Sequence, residues 1–228
     1  MTTVSVPLPA QDARRIHHAL TATVEKRFLQ WLAARIPRWV TSDQLTLLGL
    51  AAQFCAGMSY VLARYDRRAL LLVCLCIALN WLGDSLDGTL ARVRRQERPR
   101  YGFYVDHIVD IFGSVALMTG LASSGFLHWQ VALAMLIAFL VLSAESYLSA
   151  YSLGSFQLSQ GLFGPTEIRI LLIAGNLALL RSPYASWFGP RVLLFDVGGC
   201  IATAMMAAMA VRVALRHTAE LYRQEPLR

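Results

Sequence analysis

Runs of apolar residues about as long as a bilayer is thick constrain this chain more than anything else in it. A helix needs about 20 mostly apolar residues to cross the hydrocarbon core. Six segments approach that length: 44–63, 69–91, 102–124, 129–150, 166–181 and 192–214, the fifth being the shortest. Hydrophobic residues make up 56% of the 228 and charged residues only 15%, against about 25% charged in an average soluble domain. Disordered, collagen-like and disulfide-scaffold classes are excluded by the same figures. In lipid every backbone polar group must be satisfied within the chain, which favours helices. The expectation is an all-α polytopic membrane protein: six transmembrane helices preceded by an amphipathic interfacial helix. Its divisions are an N-terminal segment 1–43, a catalytic membrane domain 44–214 and a C-terminal tail 215–228.

Residues 11–36 are broken by Arg14, Arg15, Glu25, Lys26, Arg27 and Arg35 and do not read as a signal peptide. Ile16, Leu20, Val24, Phe28 and Trp31 or Leu32 fall on one helical stripe with the basic residues elsewhere. That pattern predicts a basic amphipathic helix lying in the membrane interface, the alternative being a helix packed on a soluble partner. Pro37 ends it, and Thr41-Ser42-Asp43 offers N-cap chemistry for the first span.

Basic residues outnumber acidic ones 21 to 14. They flank the apolar runs, so they face anionic headgroups rather than nucleic acid, for which no partner role is expected. Most lie before the first span, between the second and third, or after the sixth; Arg64, Arg67, Arg68, Arg181 and Arg191 would lie on the other side. Positive residues favour the inside, so both termini and the loop around 93–101 are expected to be cytoplasmic. A bacterial inner membrane fits the Arg-for-Lys and Ala-rich usage. Cys55, Cys74, Cys76 and Cys200 all lie in apolar segments and read as small hydrophobes, without a disulfide framework or zinc spacing.

Charged groups inside spans are costly and therefore mark candidate sites. The second and third spans hold Asp84, Asp87, Asp106 and Asp110. Asp84, Asp87, Gly88 and Ala91 are spaced i, i+3, i+4, i+7, which places them on one helical face. Gly102, Asp106 and Asp110 repeat at i, i+4, i+8 on the next helix. A nine-residue connection makes the two helices antiparallel neighbours whose acidic faces can meet. Four carboxylates in low dielectric cannot all stay ionised unaided, and a divalent cation resolves the conflict. Oxygen-only ligands favour Mg²⁺ or Mn²⁺ over zinc. A two-metal site of that kind suits phosphoryl chemistry. Gly88 and Ala91 leave room for a ligand, and Arg92 and its neighbours offer cations for phosphate oxygens. Buried aspartates paired with arginines, or the ion path of a transporter, are the competing readings.

At these residues the chain resembles the CDP-alcohol phosphotransferase family, whose pattern D-x2-D-G-x2-A-R-x8 or 9-G-x3-D-x3-D is filled at every fixed position. The resemblance implies that Asp84, Asp87 and Asp106 are principal metal ligands and that Asp110 is metal-associated or the general base. It also implies a nucleotide over Gly88 and Ala91 and attack by an acceptor alcohol with release of CMP. The partners implied are a CDP-alcohol donor, a lipid or polar alcohol acceptor, and membrane lipids. One branch takes CDP-diacylglycerol and a polar alcohol such as glycerol phosphate or inositol phosphate. The other takes CDP-choline or CDP-ethanolamine and diacylglycerol. Asp106-His107-x-x-Asp110 and Gly164-Pro165-Thr166-Glu167 are similar to segments of the second branch and tilt the expectation that way, with His107 as base and Glu167 as orienting acid. Arg169 is the counter-indication, since basic residues grip phosphorylated acceptors in inositol-phosphate enzymes.

Glu145, with Ser146, Tyr147 and Tyr151, is expected to line the same cavity or to pair with Arg169. Gly198, Gly199, Ala204, Ala207 and Ala208 are small-residue packing signals that fit a homodimer seam or internal packing. Met205, Met206 and Met209 read as core gap-fillers. Ser182-Pro183 and Phe188-Gly189-Pro190 mark an outer loop.

Overall fold

The computed structural model describes residues 22–153, 165–185 and 191–225. Its helices are α1 (Ala22–Ala33), α2 (Ser42–Ala63), α3 (Ala69–Val93), α4 (Pro99–Ser123), α5 (Trp129–Ser152), α6 (Pro165–Arg181) and α7 (Leu194–Gln224). Each apolar run of the sequence therefore becomes a helix. Five of them, α2, α3, α4, α5 and α7, are long and apolar enough to cross a bilayer. With 17 residues and a rise of 1.5 Å per residue, α6 reaches only about 25 Å. Helix α7 runs through to Gln224, so most of the expected tail beyond 214 continues the last span. A two-stranded ribbon, β1 (Tyr184–Ala185) with β2 (Val192–Leu193), closes the α6–α7 connection; Phe188-Gly189-Pro190 lies outside the described residues.

Helix α2 is the centre. Thr41 caps it: its hydroxyl accepts from the Gln44 backbone N–H while the Gln44 side chain returns a bond to the Thr41 N–H, a capping box. Glycines then let neighbouring backbones approach closely. A Cβ on Gly83 of α3 would sit 2.6 Å from the Leu45 carbonyl oxygen, and one on Gly120 of α4 only 2.1 Å from the Gly57 carbonyl oxygen. Around that contact Tyr60, Leu70, Val73, Cys76, Ile77, Leu117 and Leu121 form the main core. Helix α6 packs on α3, and α5 pairs with α7. Gly199, from the small-residue stripe, faces Val131 and Met135 of α5, which is internal packing. Cys55 and Cys200 lie on the outer surface and Cys76 is buried.

Side chains tie α5 to α7 at both ends. His128, at the start of α5, bonds Asp196 near the start of α7; Glu145, near the end of α5, bonds His217 at 2.6 Å. The expected Glu145–Arg169 pair is therefore not formed. Seventy-odd residues separate Glu145 from its partner, a distance no local pattern spans.

Helix α1 presents two faces. Leu29 and Ala33 are buried against Leu45, Leu86 and Leu90, whereas Phe28 and Trp31 from the expected interfacial stripe stay exposed. Ile16 and Leu20 lie outside the described residues. The α3–α4 turn is held by backbone bonds from Gln96 N to Ala91 O and Arg95 N to Arg92 O, the Schellman arrangement. Arg95 takes the left-handed position at φ 54° that glycine usually fills. Arg94 reaches from this turn to the carbonyls of Ile36, Pro37 and Val40, and Arg98 pairs with Asp43. Two of the loop's cations thus bind protein, leaving fewer for phosphate than the sequence suggests.

The Tyr60 hydroxyl donates to Asn176 Oδ1 at 2.9 Å, joining α2 to α6 in a fully buried site. Tyr60→Phe leaves that oxygen without its donor. The expected cost is about 1–3 kcal/mol, read as a lower unfolding midpoint in detergent; an unchanged midpoint would discount the bond.

Candidate active site

Three of the four aspartates converge. Ligand atoms from Asp84 on α3 and from Asp106 and Asp110 on α4 all lie within 4.8 Å of one another. The helical repeat accounts for this, since Asp106 and Asp110 are one turn apart on the α4 face turned toward α3. Thr46 and Gly49 of α2, together with Asn80, Asp84, Asp106 and Asp110, line a cavity of about 10 Å³, close to the room one water or small ion occupies. Three half-buried carboxylates around such a space make a hard-oxygen donor set that fits a Mg²⁺- or Mn²⁺-type cation.

Asp87 takes a different direction. It is 8% exposed, and its Oδ2 accepts from Thr46 Oγ1 at 2.6 Å, while its Oδ1 accepts from the Gly88 backbone N–H. Ser42 Oγ also donates to the Asp87 carbonyl at 2.9 Å. Residues i and i+3 lie about 60° apart around a helix, enough for α2 to claim one carboxylate while α4 meets the other. Asp87 borders the cluster but is not among the converging three.

Arg169 of α6 supplies the countercharge. Its Nη2 donates to Asp84 Oδ2 at 2.7 Å and its Nε to Asn80 Oδ1 at 3.0 Å. The Asn80 amide is oriented by donating Nδ2 to the Gly49 carbonyl at 3.1 Å. Asn80 went unnoticed in the sequence, although a polar residue one turn before Asp84 in an apolar helix was the available signal.

The other expected site residues are spread out. Gly88 is half-buried beneath the Arg92 guanidinium, whose Nη1 lies 3.4 Å from where a Cβ would stand, and Arg92 Nη2 donates to Thr89 Oγ1 at 3.1 Å. Ala91 lines a larger cleft of about 400 Å³ with Thr41, Ser42, Asp43, Arg94 and Arg98. Gly102 is exposed, with no atom within 4 Å of a Cβ built on it. His107 is packed between Phe103 and Tyr147, its Nδ1 2.5 Å from the Phe103 carbonyl. Glu167 occupies the first turn of α6. Glu145 does not line the acidic cavity and is engaged by His217. Gly164 lies outside the described residues.

A sequence profile described as CDP-alcohol phosphatidyltransferase matches residues 39–215, which include all four aspartates and Arg169. The chain belongs to the CDP-alcohol phosphatidyltransferase family. Its five helices long and apolar enough to cross a bilayer agree with an integral membrane member of that family. Within the CDP-alcohol phosphatidyltransferases it is similar to the archaetidylinositol phosphate synthase of Pyrococcus horikoshii, 26% identical over 113 residues. That match covers 50% of this chain and 53% of the relative, about half of each. Its fold is like that of the Mycobacterium tuberculosis phosphatidylinositol phosphate synthase, solved with CDP-DAG bound. The TM-score is 0.56 at 18% identity, covering 86% of this chain and 94% of the other.

Proposed function

We propose that this chain transfers a phosphatidyl-type group from a CDP-linked glycerolipid to the hydroxyl of a phosphorylated polyol such as inositol phosphate, releasing CMP. The observation that carries the reading is the convergence of Asp84, Asp106 and Asp110 beside a cation, Arg169. Acids alone would suit any CDP-alcohol; a fixed guanidinium next to them suits an acceptor that itself carries phosphate. The named relatives support this branch rather than the choline and ethanolamine branch toward which the sequence tilted.

Asp84, Asp106 and Asp110 would hold divalent metal, with Asp87 bordering them as a further oxygen donor. When bound, a divalent cation neutralises the donor diphosphate and stabilises the CMP leaving oxygen. The chain's own residues do the rest. Asp110 takes the acceptor proton in our reading, because an alcohol needs a base within hydrogen-bond reach. Arg169 grips the acceptor phosphate, and the face of Gly88 beside Arg92 with the cleft beside Ala91 takes the nucleotide. Both termini and this site lie on the cytoplasmic side in the same reading, and two copies associate as a homodimer.

Purified protein in lipid should release CMP from CDP-diacylglycerol with inositol phosphate and Mg²⁺ or Mn²⁺, yielding a phosphatidyl phosphopolyol. Formation of phosphatidylcholine or phosphatidylethanolamine from CDP-aminoalcohols and diacylglycerol, with no product from CDP-diacylglycerol, would overturn the branch. No CMP from either donor would overturn the enzyme reading.

A further inference from the structure

Glu25 stands out because it belongs to the interfacial helix yet is bonded into two membrane helices. Its Oε1 accepts from Trp81 Nε1 at 3.1 Å and from Ser85 Oγ at 3.3 Å, both on α3. The Thr166 hydroxyl, at the start of α6, approaches the same carboxylate at 3.1 and 3.2 Å. An acid in the first turn of a helix is favoured by the helix dipole alone, but that needs no donors from other helices. Here all three partners are neutral donors from elsewhere in the fold, and hydrogen bonds to an ionised acceptor are about twice as strong as neutral ones.

The placement of these donors matters. Thr166 and Arg169 are three apart, on one face of α6. On α3, Trp81 and Ser85 are four apart and meet Glu25, while Asn80 and Asp84, each one residue earlier, meet Arg169. Helix α6 is thus fastened to α3 by two polar clamps at successive turns. The second reaches the acidic cluster and the first is closed by α1. Helix α1 is in turn seated independently, through buried Leu29 and Ala33 and by the stacking of Phe28 on Trp81 with ring centroids 6.4 Å apart. Helix α6 packs apolar side chains on the core only from Leu172 onward, with Asn176 and Leu179 fully buried, so its first turn, from Thr166 to Arg169, is held to α3 mainly by these polar bonds.

We propose that Glu25 is a positioning residue for the reaction: it sets where α6 begins against α3 and so holds Arg169 beside Asp84 and Asn80. Seating of the interfacial helix thereby becomes a condition for an ordered site.

Two readouts test this, on the full chain in lipid nanodiscs, with Glu25→Leu, Glu25→Gln and Thr166→Val. The first is amide hydrogen exchange over 169–173, which needs no turnover. Glu25→Leu and Thr166→Val should each speed exchange there about tenfold, the scale of losing one charged hydrogen bond, while α2 and α4 stay protected. Glu25→Gln, which keeps an oxygen for Trp81 and Ser85, should recover most of the protection. The second readout rests on the acceptor role proposed above for Arg169. With CDP-diacylglycerol and inositol phosphate, Glu25→Leu should raise the acceptor KM about tenfold and leave the donor KM within about twofold. Unchanged exchange over 169–173 in both Glu25→Leu and Thr166→Val overturns the proposal, as does an equal rise in both KM values. Should neither substrate turn over, the functional reading fails and the exchange result alone decides the role of Glu25. If Glu25→Leu does not fold, Thr166→Val decides it.

Discussion

Asp106→Asn is expected to lower CMP release about a thousandfold while leaving the protein folded. The substitution keeps size and shape and removes one of the three charges that converge within 4.8 Å. Losing a single preorganised electrostatic contact in a water-excluded site costs about 10²–10³-fold, and a group holding the cation that neutralises a diphosphate should stand at the upper end. The predicted loss goes with a second observable. Mn²⁺ bound to the wild type, read by its paramagnetic resonance, should dissociate at lower chelator concentration from Asp106→Asn. Full turnover in the variant would discredit the metal assignment. Lost turnover with unchanged Mn²⁺ affinity would move Asp106 from metal ligand to another task.

Asp84→Asn is a less clean experiment. Asp84 also bonds Arg169, so its neutralisation leaves a partly buried guanidinium without its counter-ion, a loss of stability as well as chemistry. Asp106 and Asp84 are equivalent in the sequence pattern, and only their neighbours separate them.

Gly120→Ala is expected to be among the most destabilising single methyl additions in the chain. Its Cβ would lie 2.1 Å from the Gly57 carbonyl oxygen, and Gly57 is itself 2.5 Å from the Ala116 carbonyl by the same measure. Both obstructions are backbone, so no side chain can swing aside. Overpacking a well-filled core costs about 1–3 kcal/mol and occasionally more; with two helix backbones forced apart, about 3 kcal/mol or beyond is expected. Gly102→Ala is the matched comparison. Nothing lies within 4 Å of its Cβ, and alanine gains about 1 kcal/mol over glycine in a helix interior, so its unfolding midpoint should rise. Equal behaviour of the two variants would show that α2 and α4 are not in backbone contact.

Much of this was legible in the residues. The helices were readable because lipid punishes unpaired backbone and charge in any context, so hydropathy marks where a helix must run, although it stopped α7 ten residues short of Gln224. Asp106 and Asp110 were readable because an i, i+4 repeat cannot leave one helical face. Asp87 escaped the pattern: Thr46, on another helix, decides where its carboxylate points. The Glu145–His217 and Glu25–Thr166 bonds were out of reach for the same reason, being made between helices whose order in sequence says nothing of their rotation. The stripe of α1 was legible only in part. Periodicity finds an apolar face but does not say what covers it, and here Leu29 and Ala33 pack on other helices while Phe28 and Trp31 stay exposed.

The two histidine–carboxylate clasps between α5 and α7 have a wider consequence. Fastened at both ends, these helices form a single wall that meets the glycine-locked α2–α3–α4 unit through Tyr147 against His107 and through Leu127 and Ala132 in the main core. All four aspartates stand outside this wall, on α3 and α4. The wall can therefore vary without disturbing the spacing of the acids. Hybrids that exchange only the α5–α7 wall between relatives are the natural place to look for altered substrate choice with intact catalysis.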